Sequence, residues 1–442
     1  MTSVGPIARE IDSLAVEPVS ARFAPLRDKL ASGEKLRVTF VNDCGFIAGA
    51  GMAQRRQAVA LLAGGHDVSV VCSLPNEEPA LSLRGRDLAG RFEGMVCLPE
   101  LNGREGPVRN PEWITDRVVE AVAGTTPDLV IVGNLHWTGW PSSLPGALTD
   151  RGFATVCYLH DCYFITGRCV HPGPCPKFES GCDEACPTSD EYPPLDPSEI
   201  AGAHAMRRAQ FAMPTGVPVG VNSRWTEDMA RRGLGGQAEI GLVPLGLDES
   251  LFSPIDRAVA RRLLGLGQRP TIVLFGATDM ANQAKGGPFM RSVCEILKDD
   301  PGLVMCAFGH NSNFLKHAHG LGHVTDERVM PLLYAASDIY ASFSREETFG
   351  QTAMEAAACG RPVVCRKSGG IVDIAVDGES ASVVVPDEPE RFAQAIRELV
   401  ADPQRREEMG ASGRRIVEAK HTMDASRLAM ESWVSSLAPS KA

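Results

Sequence analysis

The chain has 442 residues, 44 Lys+Arg against 55 Asp+Glu, and a formal net charge of −11. Its length gives room for two or three domains and for a sizeable core that needs no disulfide or metal. The diffuse acidic balance excludes nucleic acid as the main partner, because a phosphate backbone demands a basic surface, and 44% hydrophobic with 22% charged residues excludes a mostly disordered chain.

Residues 1–35 read as a polar N-terminal extension with one short helix around Ala21–Leu30. They lack the apolar core of a signal peptide, and no apolar run approaches the roughly 18 residues that cross a bilayer. The expected compartment is the cytoplasm, where most of the 13 cysteines stay thiols. Peripheral contact with a membrane, if any, is expected at the basic pairs Arg207-Arg208 and Arg231-Arg232.

Alternation of strand and helix begins at Leu36. Arg37–Asn42 is an apolar strand, Gly45–Gly51 a glycine-rich turn, Met52–Leu62 a helix closed by Gly64-Gly65, and His66–Cys72 the next strand. That order predicts a βαβ unit with parallel strands. Buried strands at Asp128–Val132, Thr155–Leu159, Val217–Asn222 and Ile240–Val243 complete a domain over residues 36–250, with a linker around Gly246–Pro254. A second series fills residues 251–422. Its strands are Thr271–Gly276, Leu303–Phe308, Asp338–Phe343, Pro362–Cys365 and Ala381–Val385; its helices are Gly287–Leu297, Arg328–Ala336, Gln351–Cys359 and Pro389–Val400. A last helix, Met423–Leu437, lies in residues 423–442. The fold class is α/β, with two doubly wound Rossmann-like domains whose strand ends face a common cleft.

The strongest chemical signal runs from Ser344 to Val364. A strand ends near Phe343, a loop carries Glu347, and a helix opens near Gly350 with Glu355 one to two turns inside it. Free N–H groups at a helix start bind phosphate, and a carboxylate accepts both hydroxyls of a ribose. As an isolated pair, Glu347 and Glu355 would read as solvated charges on an amphipathic helix; the strand before them, and Cys-Gly-Arg-Pro and a strand after them, favour a nucleotide site.

This E-x-F-G-x-x-x-x-E-A-x-A-x-G-x-P-V-V pattern resembles that of the retaining nucleotide-sugar glycosyltransferases of family 4, which have the two-domain GT-B fold. The resemblance covers most of Leu36–Trp433 and includes Ala335–Asp338 and Gly369-Gly370. It implies a C-terminal donor domain, a last helix that returns to the N-terminal domain, Glu355 on the donor ribose, Glu347 on the transferred sugar or its leaving phosphate region, and backbone N–H groups from Phe349 and Gly350. Gly276 ends the first strand of this half, and Lys285-Gly286 precedes a helix, as in the family; Lys285 is then expected to neutralise the diphosphate. Many members carry an arginine where Ala277 or Thr278 stands here, so Lys285 acts alone or Arg345 or Arg366 reaches in.

The N-terminal half is then expected to hold the acceptor. Gly49 and Gly51 either approach the donor phosphates or pack a helix on the sheet. His160, after Thr155–Leu159, is either a core histidine or a group facing the sugar. His136, Trp137 and Asp161 are acceptor candidates, Trp137 also reading as plain packing. The stretch from His160 to Pro187 resembles a subset from surface-polysaccharide pathways, with H-D-x-x-x-x-T-G-x-C followed by more cysteines. In the loop of residues 162–190, Cys169, Cys175, Cys182 and Cys186 lie within 18 residues. Four thiolates there suit a structural zinc, with an iron–sulfur cluster, two disulfides or free thiols as alternatives and His171 as a substitute ligand.

The function these features imply is retaining transfer of a sugar from a nucleotide diphosphate-sugar to a glycan, a lipid-linked or a small-molecule hydroxyl, in polysaccharide or glycoconjugate biosynthesis. No catalytic metal is required. His160, Glu347 and Lys285 carry the chemistry in this reading. The rivals are a sugar-nucleotide epimerase on the same fold and a non-catalytic partner subunit.

Overall fold

The computed structural model describes residues 18–74, 82–83, 86–87, 92–104, 110–280, 283–324, 326–385 and 388–439. The first half supplies strands β1 (Arg37–Val41), β2 (Asp67–Cys72), β3 (Ser82–Leu83), β4 (Arg86–Asp87), β5 (Phe92–Cys97), β6 (Leu129–Val132), β7 (Thr155–Leu159), β8 (Val219–Val221) and β9 (Ile240–Leu242). Seven of them form a sheet in the order β5-β2-β1-β6-β7-β8-β9, and β3 and β4 pair separately. Every pairing in the large sheet is parallel. β6 and β7 are buried at every residue, because parallel sheets carry helices on both faces and their strands become unbroken apolar runs.

The second half adds β10 (Thr271–Asp279), β11 (Leu303–His310), β12 (His319–Gly320), β13 (Ile339–Ser342), β14 (Val363–Arg366) and β15 (Ala381–Val384). They form a parallel sheet in the order β12-β11-β10-β13-β14-β15. In each sheet the strand order reverses once, between β1 and β6 and between β10 and β13. Such switch points open a crevice at the carboxyl ends of the strands.

Several elements differ from expectation. The first long helix runs over Ala48–Ala63, four residues earlier than its expected start. A side chain at Gly51 would meet the Gly45 carbonyl and the Phe46 backbone at 2.7 Å, so this glycine lets the helix start against the turn. Helices at Pro111–Gly124, Pro197–Ala209 and Pro403–Lys420 were not expected. The last contains Gly410 and Gly413, which weaken a helix signal. Gly410 is needed because the Gly360 carbonyl lies where its Cβ would be.

Residues 18–35 are not simply a polar extension. Val19, Phe23 and Leu26 are buried, and the helix Ala24–Ser32 follows directly; residues 1–17 lie outside the described residues. The last helix, Met423–Ser436, packs on the N-terminal domain. Its Met430, Trp433 and Val434 share a core with Phe23, Val38 and Leu62. The Trp433 ring covers Gly220 and Gly241 on β8 and β9, and Glu431 Oε1 lies 2.9 Å from His66 Nε2.

Candidate active site

The two crevices face one another, and the candidate residues come mainly from the loops at the switch points. On the C-terminal side, Lys285 ends a short 3-10 turn after β10. A Cβ on the next residue, Gly286, would strike the Phe343 carbonyl. The Arg345 N–H donates to the Ala284 carbonyl at 2.9 Å. These two close approaches bring the loops after β10 and β13 together. As a result Lys285 Nζ lies 2.7 Å from Glu347 Oε2, to which Ser344 Oγ also donates at 3.1 Å. Burial disfavours the charge on Glu347, but Lys285 outweighs it and, with His171 and Ser344, holds the carboxyl below its usual range.

Gly369-Gly370 supports this loop from behind: the Gly370 N–H donates to the Glu347 carbonyl at 2.7 Å. Gly350 has φ +95° and caps the helix Gln351–Ala358, a conformation that disfavours a side chain. The Phe349 ring is buried against His421, which leaves only its backbone for a ligand. The first N–H groups of that helix have no intrahelical acceptor. Gly276 lies against the Phe308 ring, which an added Cβ would meet at 2.5 Å, so its place is explained by packing.

Glu355 is fully engaged. Its Oε1 lies 2.6 Å from Arg56 Nη2 and its Oε2 accepts from Tyr334 Oη at 2.7 Å. Arg56 also reaches Glu327 and Gln351. Burial works against its charge, but the Glu355 and Glu327 carboxylates hold the guanidinium more firmly protonated than usual. The Gln351 amide donates to the Gly49 carbonyl at 2.8 Å. Gly49, with open space beside it, thus stands at the cleft, whereas Gly51 belongs to packing. The arginine expected to compensate for Ala277 is not Arg366: that side chain is buried, donates to the Phe343 carbonyl and stacks 4.4 Å over Phe289. Arg345 is exposed.

On the N-terminal side, His160 is 7% exposed and both ring nitrogens are buried without a partner. Burial lowers its pKa to about 4, so the ring is neutral at pH 7. Its carbonyl accepts from Thr348 Oγ1 at 2.9 Å, directly beside Glu347. Asp161 is a hub, accepting from Asn134 at 2.9 Å, His136 at 2.8 Å and the Tyr163 N–H at 2.8 Å. It orients His136 and has little capacity left for an acceptor. Trp137 lies at the rim, 38% exposed, under the Arg104 guanidinium.

Arg56 and Tyr334 escaped the sequence reading, as did the role of Ser344 and Asp43 after β1. Asp43 is buried; its Oδ2 accepts the Thr138 N–H at 2.6 Å and its Oδ1 has no partner. Burial raises its pKa to about 6. The available signal was position: Asp43 directly follows the strand at the switch point.

Cys169, Cys175, Cys182 and Cys186 line one cavity of about 20 Å³, about one water molecule in size. All four are free thiols, and among the described residues no three His, Cys, Asp or Glu come together so as to hold a metal ion. Arg168 ties the loop together, 2% exposed, donating to the carbonyls of Thr188, Glu191 and Pro193. At the first basic pair, Arg207 is buried on Ser142, Tyr163 and Thr166, and Arg208 is half-buried. Arg231 and Arg232 are paired with Glu227, Asp228 and Glu179. Among the described residues no helix is long and apolar enough to cross a membrane.

Solved structures share the two-sheet architecture. The solved sucrose-phosphate synthase of Thermosynechococcus elongatus superposes with a TM-score of 0.69 at 19% identity, covering 91% of this chain and 99% of that one. The Anabaena protein HepE, solved with UDP and glucose, gives 0.64 at 16% identity, covering 91% and 100%. The fold is GT-B. Within its second domain, residues 309–416 match the family of glycosyl transferases, group 1; that span includes Glu347, Gly350 and Glu355 and leaves out Lys285. D-inositol 3-phosphate glycosyltransferase 1 of Catenulispora acidiphila is 35% identical over 295 residues, 61% of this chain and 64% of that protein. D-inositol 3-phosphate glycosyltransferase of Segniliparus rotundus is 32% identical over 192 residues, 40% and 42%. A GDP-mannose-dependent phosphatidylinositol monomannoside mannosyltransferase of Mycolicibacterium smegmatis is 29% identical over 212 residues, 43% and 55%. The alignments thus span 42% to 64% of those relatives' own lengths.

Proposed function

We propose that the protein is a retaining glycosyltransferase that moves a sugar from a nucleotide diphosphate-sugar to a hydroxyl of a glycan, lipid-linked or small polyol acceptor. The observation that carries this reading is the Lys285–Glu347 pair at 2.7 Å, at the β10/β13 switch point and beside the start of the helix led by Gly350. A diphosphate placed there meets a lysine ammonium and free helix N–H groups, and both favour the charge that develops as it leaves.

In this reading the ribose hydroxyls take the place of Arg56 on Glu355. Glu347 orients the transferred sugar and stays ionised. Because the acceptor attacks on the leaving-group face, no side chain need act as a covalent nucleophile, and the spacing rules of two-carboxylate glycosidases do not apply. The acceptor approaches from the N-terminal domain on the face of the leaving group. The departing diphosphate oxygen takes the acceptor proton, so that configuration is retained. His160, neutral and with both nitrogens unpartnered, offers a hydrogen bond to the sugar without needing to change its charge. Closure of the cleft, which the Thr348–His160 and Gln351–Gly49 contacts support, excludes water that would hydrolyse the donor.

A thermal-shift panel of UDP- and GDP-linked sugars tests the reading. At least one donor is expected to stabilise the protein, and Glu355→Ala is expected to abolish that stabilisation. A panel in which no donor stabilises the wild type overturns it.

A further inference from the structure

The cysteine-rich loop carries a histidine into the cleft. Val170, just before His171, accepts the Cys162 N–H through its carbonyl at 2.9 Å, next to His160-Asp161. Gly173, two residues after His171, donates its N–H to Glu346 Oε2 at 2.8 Å, next to Glu347. His171 is thereby held between the His160-Asp161 turn of one domain and the Glu346-Glu347 loop of the other. The residue is half-buried, yet its Nδ1 is fully buried and has no hydrogen-bond partner.

Buried polar atoms are nearly always satisfied, by protein, water or ligand, so an orphan between these two loops is a candidate partner for a ligand atom. The loop is also built to hold position. Arg168 cross-links it through the three carbonyls named above, Thr166 Oγ1 donates to the Cys169 carbonyl at 2.8 Å, and Arg207 donates to the Thr166 carbonyl at 3.0 Å. A rigid segment with one unsatisfied donor–acceptor group suits discrimination among hydroxyl configurations, because a site built for a hydroxyl rejects ligands that place it wrongly.

Resting on the transferase reading above, we propose that His171 hydrogen-bonds a hydroxyl of the transferred sugar and that the Cys169–Cys186 loop thereby helps to set which sugar the enzyme accepts. This contact is separate from the nucleotide grip of Lys285 and Glu355, so it adds to the affinity for the nucleotide-sugar and not to that for the bare nucleotide.

The test is calorimetry on the full chain with UDP, GDP, UDP-glucose, UDP-galactose and GDP-mannose, comparing wild type with His171→Ala and His171→Gln. The expected result is a roughly tenfold weaker Kd for the preferred nucleotide-sugar in His171→Ala, an unchanged Kd for its free nucleotide, and partial recovery in His171→Gln. Relative kcat/KM among the sugars should also change in His171→Gln, which keeps the test decisive if the alanine variant does not fold. Unchanged Kd values and unchanged sugar preference in the variants overturn the inference while leaving the transferase reading intact. A wild type that binds neither nucleotide nor nucleotide-sugar overturns that reading instead.

Discussion

Arg56 Nη2 lies 2.6 Å from Glu355 Oε1, an ion pair between residues 299 positions apart that joins the two domains across the cleft. Both side chains are nearly buried, at 5% and 9% exposure. Removing one member of such a pair leaves the other charged and desolvated. Arg56→Ala also strips one of two arginine partners from Glu327, leaving Arg55 at 2.6 Å. The variant should lose about 3 kcal/mol of stability in chemical denaturation. A wild-type midpoint would show that the pair is not formed in solution.

The contact between Lys285 and Glu347 makes a separate kinetic prediction. Lysine stabilises charge that grows as the diphosphate departs, so its loss should act on kcat more than on donor KM. Lys285→Met is expected to lower kcat by about 10²–10³-fold, the usual effect of losing one stabilising group. Steady-state kinetics with a saturating acceptor measures this. A variant with unchanged kcat and raised KM would assign Lys285 to ground-state binding only.

Asp43 gives a prediction for pH. Its carboxyl has a pKa of about 6 when folded against 3.8 in the ordinary state, because it is buried. Between those values the folded protein holds a proton that the unfolded chain has released. The contribution of this group to stability therefore falls as pH rises from about 4 to 6 and stays low above that, a penalty of roughly 3 kcal/mol. Asp43→Asn removes the titration. It should be more stable than wild type at pH 7.5 and nearly equal at pH 3.5. Denaturation midpoints at the two pH values check this, and a constant difference between the proteins would contradict it.

The parts of the site legible in the sequence are those set by local order. Glu347, Gly350 and Glu355 lie on one strand–loop–helix unit, and Lys285-Gly286 on another, so their spacing alone places them at strand ends. Arg56 and His171 could not be read in this way. Arg56 is one of two adjacent arginines on an ordinary helix until the second domain brings Glu355 and Glu327 to it. His171 stands among four cysteines, and their density drew attention to metal chemistry. The loop also folds around Arg168, whose hydrogen bonds to three carbonyls leave no mark in the sequence. The strand Phe92–Cys97 was obscured by the glycine inside it, since glycine weakens a strand signal.

The most direct measurement is a crystal structure of the protein with the nucleotide-sugar that stabilises it most. The account predicts the diphosphate within hydrogen-bond distance of Lys285 Nζ and of the backbone at the start of the helix Gln351–Ala358, the ribose hydroxyls on Glu355, and Arg56 displaced from that carboxylate. A ligand bound elsewhere, with Arg56 and Glu355 still paired, would contradict it.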